Sequence, residues 1–480
     1  MALNTAQRIA KNTLALLGSE VVVRALTFMI TLFIARRLGA QSFGQYSFAL
    51  AFVALFMVFG DMGMGTLTTR NVAREKGLVN KYVDNLLLVK VLLGLLTFGL
   101  IFLIMQFMGK TAEVKLLVYT AAAWLVIDSI NLLIKAIFNA FEVMEYVAAV
   151  TILEKVFYFA FCALILFTDI FQKKLLLLVA AYPVSSALAL VCGLFILRRR
   201  ITRISLEIDW GFWKSVIKEG WPFAASGLFA GLYFSIDIVI LSQLKSDEIV
   251  GWYSAAYKIF LILYALQSFY FQALFPVASR FYKESAESFR KLLNRSGRLI
   301  LSYTIPLAVG GIVLAPSIVH LVYTSKYIYS VTALQILLLN LITRGITGLY
   351  NNILSASGQQ KNYMYGFAVG ALSNTILNLA LVPSFSLGGA AAATVISTVA
   401  MAAFCYFKST KTIHITFKKF MFKPALSSLL MALILVVFIK LNLFVLVVLG
   451  MISYTFFMFI LRGIADEDMK FLLRTLKLRD

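Results

Sequence analysis

Long apolar windows separated by short polar links run almost the length of the chain. About 20 apolar residues carry a helix across the ~30 Å core of a bilayer. Fourteen windows reach that length: residues 14–38, 43–66, 82–107, 114–139, 146–167, 175–197, 219–243, 250–276, 297–323, 331–357, 361–384, 388–408, 421–440 and 443–462. The pattern predicts an all-α integral membrane protein with about 14 transmembrane helices, because a helix satisfies its own backbone polar groups inside lipid. The first window follows Arg8 and Lys11, runs to Leu38 without a small-residue cleavage signal, and is interrupted by Glu20 and Arg24, so it reads as a span.

The links leave no room for a sizeable domain outside the membrane. The two longest, 198–218 and 276–298, are both basic. The first suggests a division into an N-terminal lobe of six spans (1–200), a cytoplasmic linker (201–218), a second six-span lobe (219–412) and a C-terminal pair of spans with a tail (413–480). A repeated motif supports the two lobes. Gly44-Gln45-Tyr46-Ser47-Phe48-Ala49 opens span two and Gly251-Trp252-Tyr253-Ser254-Ala255-Ala256 opens span eight. Units repeated in the same orientation imply a pseudo-twofold axis along the membrane normal and a cavity between the halves.

Composition and charge narrow the function classes. With 61% hydrophobic and 14% charged residues, the chain lies far from soluble domains. The net charge of +22 is sided: with the N-terminus inside, 29 of the 44 Lys and Arg fall on the cytoplasmic side and 9 outside. Both termini, including the tail with Lys470, Arg474, Lys477 and Arg479, are therefore expected in the cytoplasm, and nucleic acid is not expected as a partner. Cys162, Cys192 and Cys405 sit singly in apolar runs, and His320 and His414 lack metal-ligand spacing. No nucleophile constellation is visible, so an enzyme is not expected.

Ionisable residues inside spans carry the most information, since each costs about 2.5–3.5 kcal/mol at a helix centre unless it meets a cavity or a partner. Glu20, Arg24, Thr27 and Thr31 share one face of span one; Trp124, Asp128, Asn131, Lys135 and Asn139 share one face of span four; Asn340, Arg344, Thr347 and Asn351 do so in span ten. Lys90 and Glu154 add single charges to spans three and five. Two readings stand side by side. The stripes line a wet interior, or Glu20, Asp61, Asp128 and Glu154 balance Arg24, Lys90, Lys135 and Lys155 as ion pairs that fix packing. Asp237 and Lys258 read as a structural pair. Pro306 and Pro316 predict a bend in span nine.

Several patches then resemble one family. Ala35-Arg36-Arg37-Leu38-Gly39, Phe43-Gly44-Gln45-Tyr46-Ser47 and Asp61-Met62-Gly63-Met64-Gly65 before Arg70 and Arg74 are similar to motifs of the polysaccharide and oligosaccharide flippases of the multidrug/oligosaccharidyl-lipid/polysaccharide exporter superfamily. So are Asp237, residues 250–257, Leu274-Phe275-Pro276, residues 355–360, Asn374, Asn378, Val382-Pro383 and residues 388–391. The proline many relatives carry in the first link is replaced here by Gly39-Ala40-Gln41-Ser42.

The resemblance implies a flippase in a bacterial or archaeal cytoplasmic membrane. It would move an undecaprenyl-diphosphate-linked oligosaccharide to the outer leaflet by alternating access, for O-antigen, capsule or exopolysaccharide assembly. Its partners would be that polyprenyl-diphosphate-linked glycan, membrane lipids and polysaccharide assembly proteins, and it would need no cofactor beyond a coupling ion, H+ or Na+. Arg24, Lys90, Lys135 and Arg344 are the expected diphosphate ligands. Trp124, Asn131 and Asn351 are expected to meet the glycan, and Glu20, Asp61, Asp128 and Glu154 are the candidates for ion coupling. The alternatives are a cation-coupled multidrug exporter of the same fold or a flippase of a lipid-linked peptidoglycan precursor.

Overall fold

A computed structural model of the chain describes residues 5–205, 207–410, 413 and 418–463. His414 and the tail lysines and arginines from Lys470 to Arg479 lie outside the described residues. Every regular element among the described residues is helical: α1 (Thr5–Asp61), α2 (Met64–Arg74), α3 (Val79–Phe107), α4 (Ala112–Ala140), α5 (Met144–Phe167), α6 (Lys174–Arg200), α7 (Trp210–Leu244), α8 (Asp247–Glu284), α9 (Ala286–Tyr323), α10 (Ser330–Ala356), α11 (Gln360–Ser409), α12 (Lys418–Val437) and α13 (Leu443–Ile460).

Two of these elements each hold two spans. At about 1.5 Å per residue, the 50 residues of α11 would reach about 75 Å, more than twice the ~30 Å apolar core. The element breaks at Ser386, whose φ is 51°. In the same way α1 breaks at Gly39, with φ 80°, a left-handed conformation glycine adopts without steric cost. The fourteen sequence windows thus fall on fourteen helical stretches. Span two ends earlier than its window, at Asp61, because Met62 (φ 48°) and Gly63 (φ 73°) form a turn into the separate α2. The helix α9 continues through both Pro306 and Pro316.

The helices are built inside out relative to a soluble bundle. On α3, Leu92, Leu95, Leu96 and Leu103 are exposed, Leu96 by 70%, whereas Lys90, Gly94 and Thr97 are buried. Apolar side chains face outward because lipid solvates them, and polar ones turn toward the protein.

Packing divides the chain into two units, Met1–Ser254 and Ala255–Asp480. In the first, α1 packs on α4, α5 and α7, while α4 packs on α3 and α6. In the second, α10 packs on α9 and α11, and α12 packs on α9 and α13. The first part of the expected linker 201–218, residues 201–205 and 207–209, is pinned to the start of α3. The Asp84 carboxylate accepts the Ser205 N–H at 2.7 Å, and Asn85 Oδ1 accepts both the Asp209 N–H at 2.8 Å and Trp213 Nε1 at 2.9 Å. Asp209 caps α7 by accepting the Phe212 N–H and pairs with Lys81 at 3.2 Å. That backbone hydrogen bond and the lysine hold its carboxyl below the usual carboxylate range.

The repeated motif has a local structural reason. A Cβ on Gly44 would overlap the carbonyl of Asp247, and a Cβ on Gly251 would overlap the carbonyl of Ala40. Each glycine therefore meets the backbone four residues before its counterpart, and the two motifs contact each other reciprocally, as small residues allow between membrane helices. Gln45 Nε2 donates to Asp247 Oδ2 at 2.9 Å beside this contact. Gly99 on α3, in contrast, has open space around it. Gly44→Val and Gly251→Val are each expected to lower the melting temperature of the purified protein by the equivalent of about 1–3 kcal/mol, the usual cost of overpacking. Gly99→Ala should leave it within about 0.5 kcal/mol, and a thermal scan of the three variants checks both outcomes.

Candidate functional site

Inside the first unit, the polar face of each helix brings its charges to the next. At the C-terminal end of α1, the Asp61 carboxylate accepts the Gly65 N–H across the turn at 3.3 Å and pairs with the ammonium of Lys90 from α3. The Lys90 side chain is fully buried, so the pairing is what makes its charge tolerable there. Asp61, 22% exposed, also lines a cavity of about 320 Å3 with Met57, Thr66, Leu132 and Phe223. This is the one carboxylate–lysine pair of the interior that borders open space among the cavities described.

A second centre joins α4 and α5. Glu154, 4% exposed, pairs with Lys155 at 2.9 Å and with Lys135 at 3.6 Å. Asp128, also buried, lies within electrostatic reach of Lys135, Glu154, Lys155 and Lys90. It therefore bridges the two centres, and unlike Glu20, Asp61 and Glu154 it makes no ion pair within 4 Å among the described residues. Next to this centre the Lys155 ammonium sits 5.1 Å from the Tyr182 ring, a cation–π contact. Tyr182 stacks on Tyr158 with ring centres 3.8 Å apart, the Tyr158 and Tyr46 hydroxyls are 2.9 Å apart, and Trp124 lies 5.3 Å from Tyr182. Trp124 Nε1 has no hydrogen-bond partner among the described residues.

The sequence-derived residues fall into three groups. Asp61 with Lys90, and Asp128 with Lys135 and Glu154, form the network just described, and Trp124 adjoins it. Arg24 pairs with Glu20 one turn away on its own helix at 2.6 Å, with both side chains about two-fifths exposed. Asn131 is fully buried and donates to the carbonyl and hydroxyl oxygens of Ser186 at 3.0 and 2.9 Å, so it fastens α4 to α6. Arg344 and Asn351 belong to the second unit: the guanidinium lies 4.9 Å from the Tyr264 ring, and Asn351 Oδ1 accepts from Cys405 Sγ at 3.3 Å. Three of the four expected phosphate ligands are therefore already paired with carboxylates. Asp237, expected to pair with Lys258, accepts a hydrogen bond from the Tyr253 hydroxyl.

Sequence reasoning left Tyr46, Tyr158 and Tyr182 out of the site. Tyr46 is conspicuous only as part of the repeated motif. Tyr158 and Tyr182 look like ordinary aromatic members of apolar spans, and only the fold brings them to Lys155.

The second unit contributes an apolar feature. A cavity of about 640 Å3 is lined by Tyr303, Pro306, Gly310 and Leu314 of α9, Leu435 of α12 and Leu446 of α13, among others.

Comparisons with known proteins agree with this fold. The model of the family described as polysaccharide biosynthesis protein matches residues 9–282, and the MatE model matches residues 222–380. A curated relative, the probable low-salt glycan biosynthesis flippase Agl15 of Haloferax volcanii, is 21% identical over 391 residues, 81% of each chain. Among solved structures, the lipid II flippase MurJ in an inward closed conformation superposes with a TM-score of 0.79 at 18% identity, covering 94% of this chain and 98% of that one. An inward-facing multidrug resistance MATE family transporter superposes with a TM-score of 0.67 at 15% identity, covering 83% of this chain and 95% of its own.

The two kinds of ion pair should differ sharply on mutation. Lys90→Ala strands Asp61 beside a vacated buried position and is expected to cost about 3–5 kcal/mol. Arg24→Ala breaks a half-exposed pair within one helix and should cost under about 1 kcal/mol. Denaturation midpoints of the two variants measured in the same detergent check the order.

Proposed function

Because the chain belongs to the polysaccharide biosynthesis protein family, in the superfamily of polysaccharide flippases and multidrug exporters, we propose that it flips an undecaprenyl-diphosphate-linked oligosaccharide from the inner to the outer leaflet of the cytoplasmic membrane. The observation that carries this reading is the set of lysines, Lys90, Lys135 and Lys155, held inside the first unit against carboxylates. A bundle whose cargo were a lipophilic cation would need the carboxylates and gain nothing from the lysines. A diphosphate needs the lysines, and charge-assisted N–H···O bonds to phosphate are among the strong ones.

On this reading the resting pairs keep the interior neutral until substrate arrives. The diphosphate enters where Asp61 borders the cavity and exchanges with that carboxylate at the fully buried Lys90, and with Glu154 at Lys135, since Glu154 keeps Lys155. Trp124, with its half-buried ring and unused N–H, meets a sugar. The isoprenoid chain, being apolar, stays in the lipid. Outward movement of two negative charges across an inside-negative potential is favourable by about 4.6 kcal/mol per 100 mV, at ~2.3 per charge, so no nucleotide is required. Asp128 is the carboxylate we assign to a coupling ion, H+ or Na+, since it feels three lysines and the opposing carboxylate Glu154 without being fixed in one pair.

Lys135→Gln tests this, because Glu154 keeps Lys155 as its partner. In proteoliposomes the variant is expected to flip a polyprenyl-diphosphate-linked oligosaccharide at least about ten-fold more slowly, the loss of one charge-assisted hydrogen bond, while melting within a few degrees of wild type. Transport at the wild-type rate would remove Lys135 from the site. Thermal protection of the wild-type protein by lipophilic cations, and none by the lipid-linked glycan, would favour the multidrug exporter instead.

A further inference from the structure

The first turns of α7 carry a surface that the transport reading does not use. The helix has 35 residues, about 52 Å at ~1.5 Å per residue, against an apolar core of ~30 Å. Some 20 Å of it must lie outside the hydrocarbon. Along its first three turns the exposed residues Trp210, Lys214, Ile217, Lys218 and Trp221 form one stripe, with Gly211, Ser215 and Glu219 exposed beside it, while Trp213, Val216 and Gly220 are buried on the other side. Trp210 is 72% and Trp221 60% exposed. A stripe of tryptophan, lysine and isoleucine is neither a water face nor a lipid-core face. It is the composition of a helix lying at the headgroup boundary, where indole rings settle and lysine stems reach outward to phosphate.

The segment just before it adds charge in a fixed place. Arg198, Arg199 and Arg200 end α6, all exposed, and Arg203 follows, also exposed. The Arg199 guanidinium lies 4.4 Å from the Phe195 ring. Residues 201–205 and 207–209 are held against α3 by the Asp84 and Asn85 hydrogen bonds and the Lys81–Asp209 pair. Ile208, 60% exposed, therefore projects outward from a pinned backbone, beside Trp210. A topogenic basic link requires only charge. Pinning its backbone and flanking it with exposed tryptophans serves a surface that must hold one orientation.

We infer that residues 198–205 and 207–221 form a docking surface for anionic phospholipid, with Arg198, Arg199, Arg200 and Arg203 receiving the phosphates, Trp210 among the headgroups and Trp221 seated at the acyl boundary. Basic residues at a membrane surface attract anionic lipid additively, at about five-fold in affinity for each. Docking would hold the start of α7 at a set depth while the rest of the helix works within the bilayer.

The experiment compares wild type with R198Q/R199Q/R200Q/R203Q in nanodiscs of phosphatidylcholine, with and without phosphatidylglycerol. Phosphatidylglycerol is expected to raise the melting temperature of wild type, less so in high salt, and to give the variant at most half that rise. Equal melting temperatures in pure phosphatidylcholine show that the variant is folded. Brominated phosphatidylglycerol should quench wild-type tryptophan fluorescence, with at least about ten-fold more lipid needed by the arginine variant, and W221F should lose part of the quench. Inorganic phosphate should produce no rise, and K283Q/R290Q/K291Q, which removes three positive charges from the other long basic link, should keep the full rise. An unchanged phosphatidylglycerol response in the arginine variant, an equal loss in the control, a rise with inorganic phosphate, or undiminished quenching in W221F would each overturn the inference. The W221F readout decides the matter if the arginine variant fails to fold.

Discussion

An ammonium group with no exposed surface, in a bundle whose outside is made of leucine, exists only because a carboxylate meets it. That constraint organises the first unit. Lys90 fixes where α3 must stand relative to the end of α1, because Asp61 is its partner and Asp61 is itself tied into the turn that starts α2. Glu154 likewise sets α5 against α4 through Lys135. Asp128 lies in the field of both centres. The buried network of α1, α3, α4 and α5 is thus close to electroneutral, with Asp61, Asp128 and Glu154 against Lys90, Lys135 and Lys155, and this balance lets so many charges remain in an apolar protein.

The same balance changes how a phosphate site has to work. A pocket of unpaired cations would be costly to fold and would bind any anion. On the proposed function, paired lysines are latent: a dianion with suitable geometry would compete with a carboxylate that is already present. The two readings left open by the sequence, cavity lining and packing pairs, therefore merge at Asp61 and Lys90, where a packing pair borders a cavity.

The helices were legible because lipid imposes a length and a composition that few other environments demand. Even the breaks at Gly39 and Ser386 follow from length, since α1 and α11 are each too long for one crossing. The stripe on span four marked Asp128 and Lys135 correctly as inward-facing, yet it also swept in Asn131, which is spent on Ser186. Periodicity tells which face of a helix is polar, but not whether the next helix or a cavity covers a given residue. The tyrosines around Lys155 were illegible for a related reason: an aromatic ring in an apolar span carries no sign that its hydroxyl is used. The repeated glycine motif, visible as sequence, acquired its meaning only when Gly44 and Gly251 were found against each other's backbone.

The central claim is that buried lysines recognise the bridging diphosphate and not the sugar alone. Its most direct measurement is a binding comparison in detergent by native mass spectrometry, between an undecaprenyl-diphosphate-linked oligosaccharide and the same oligosaccharide on uncharged undecaprenol. The account predicts at least about a hundred-fold tighter binding of the diphosphate, two charge-assisted contacts at ~1.5 kcal/mol each. Equal affinity for the two lipids would contradict it.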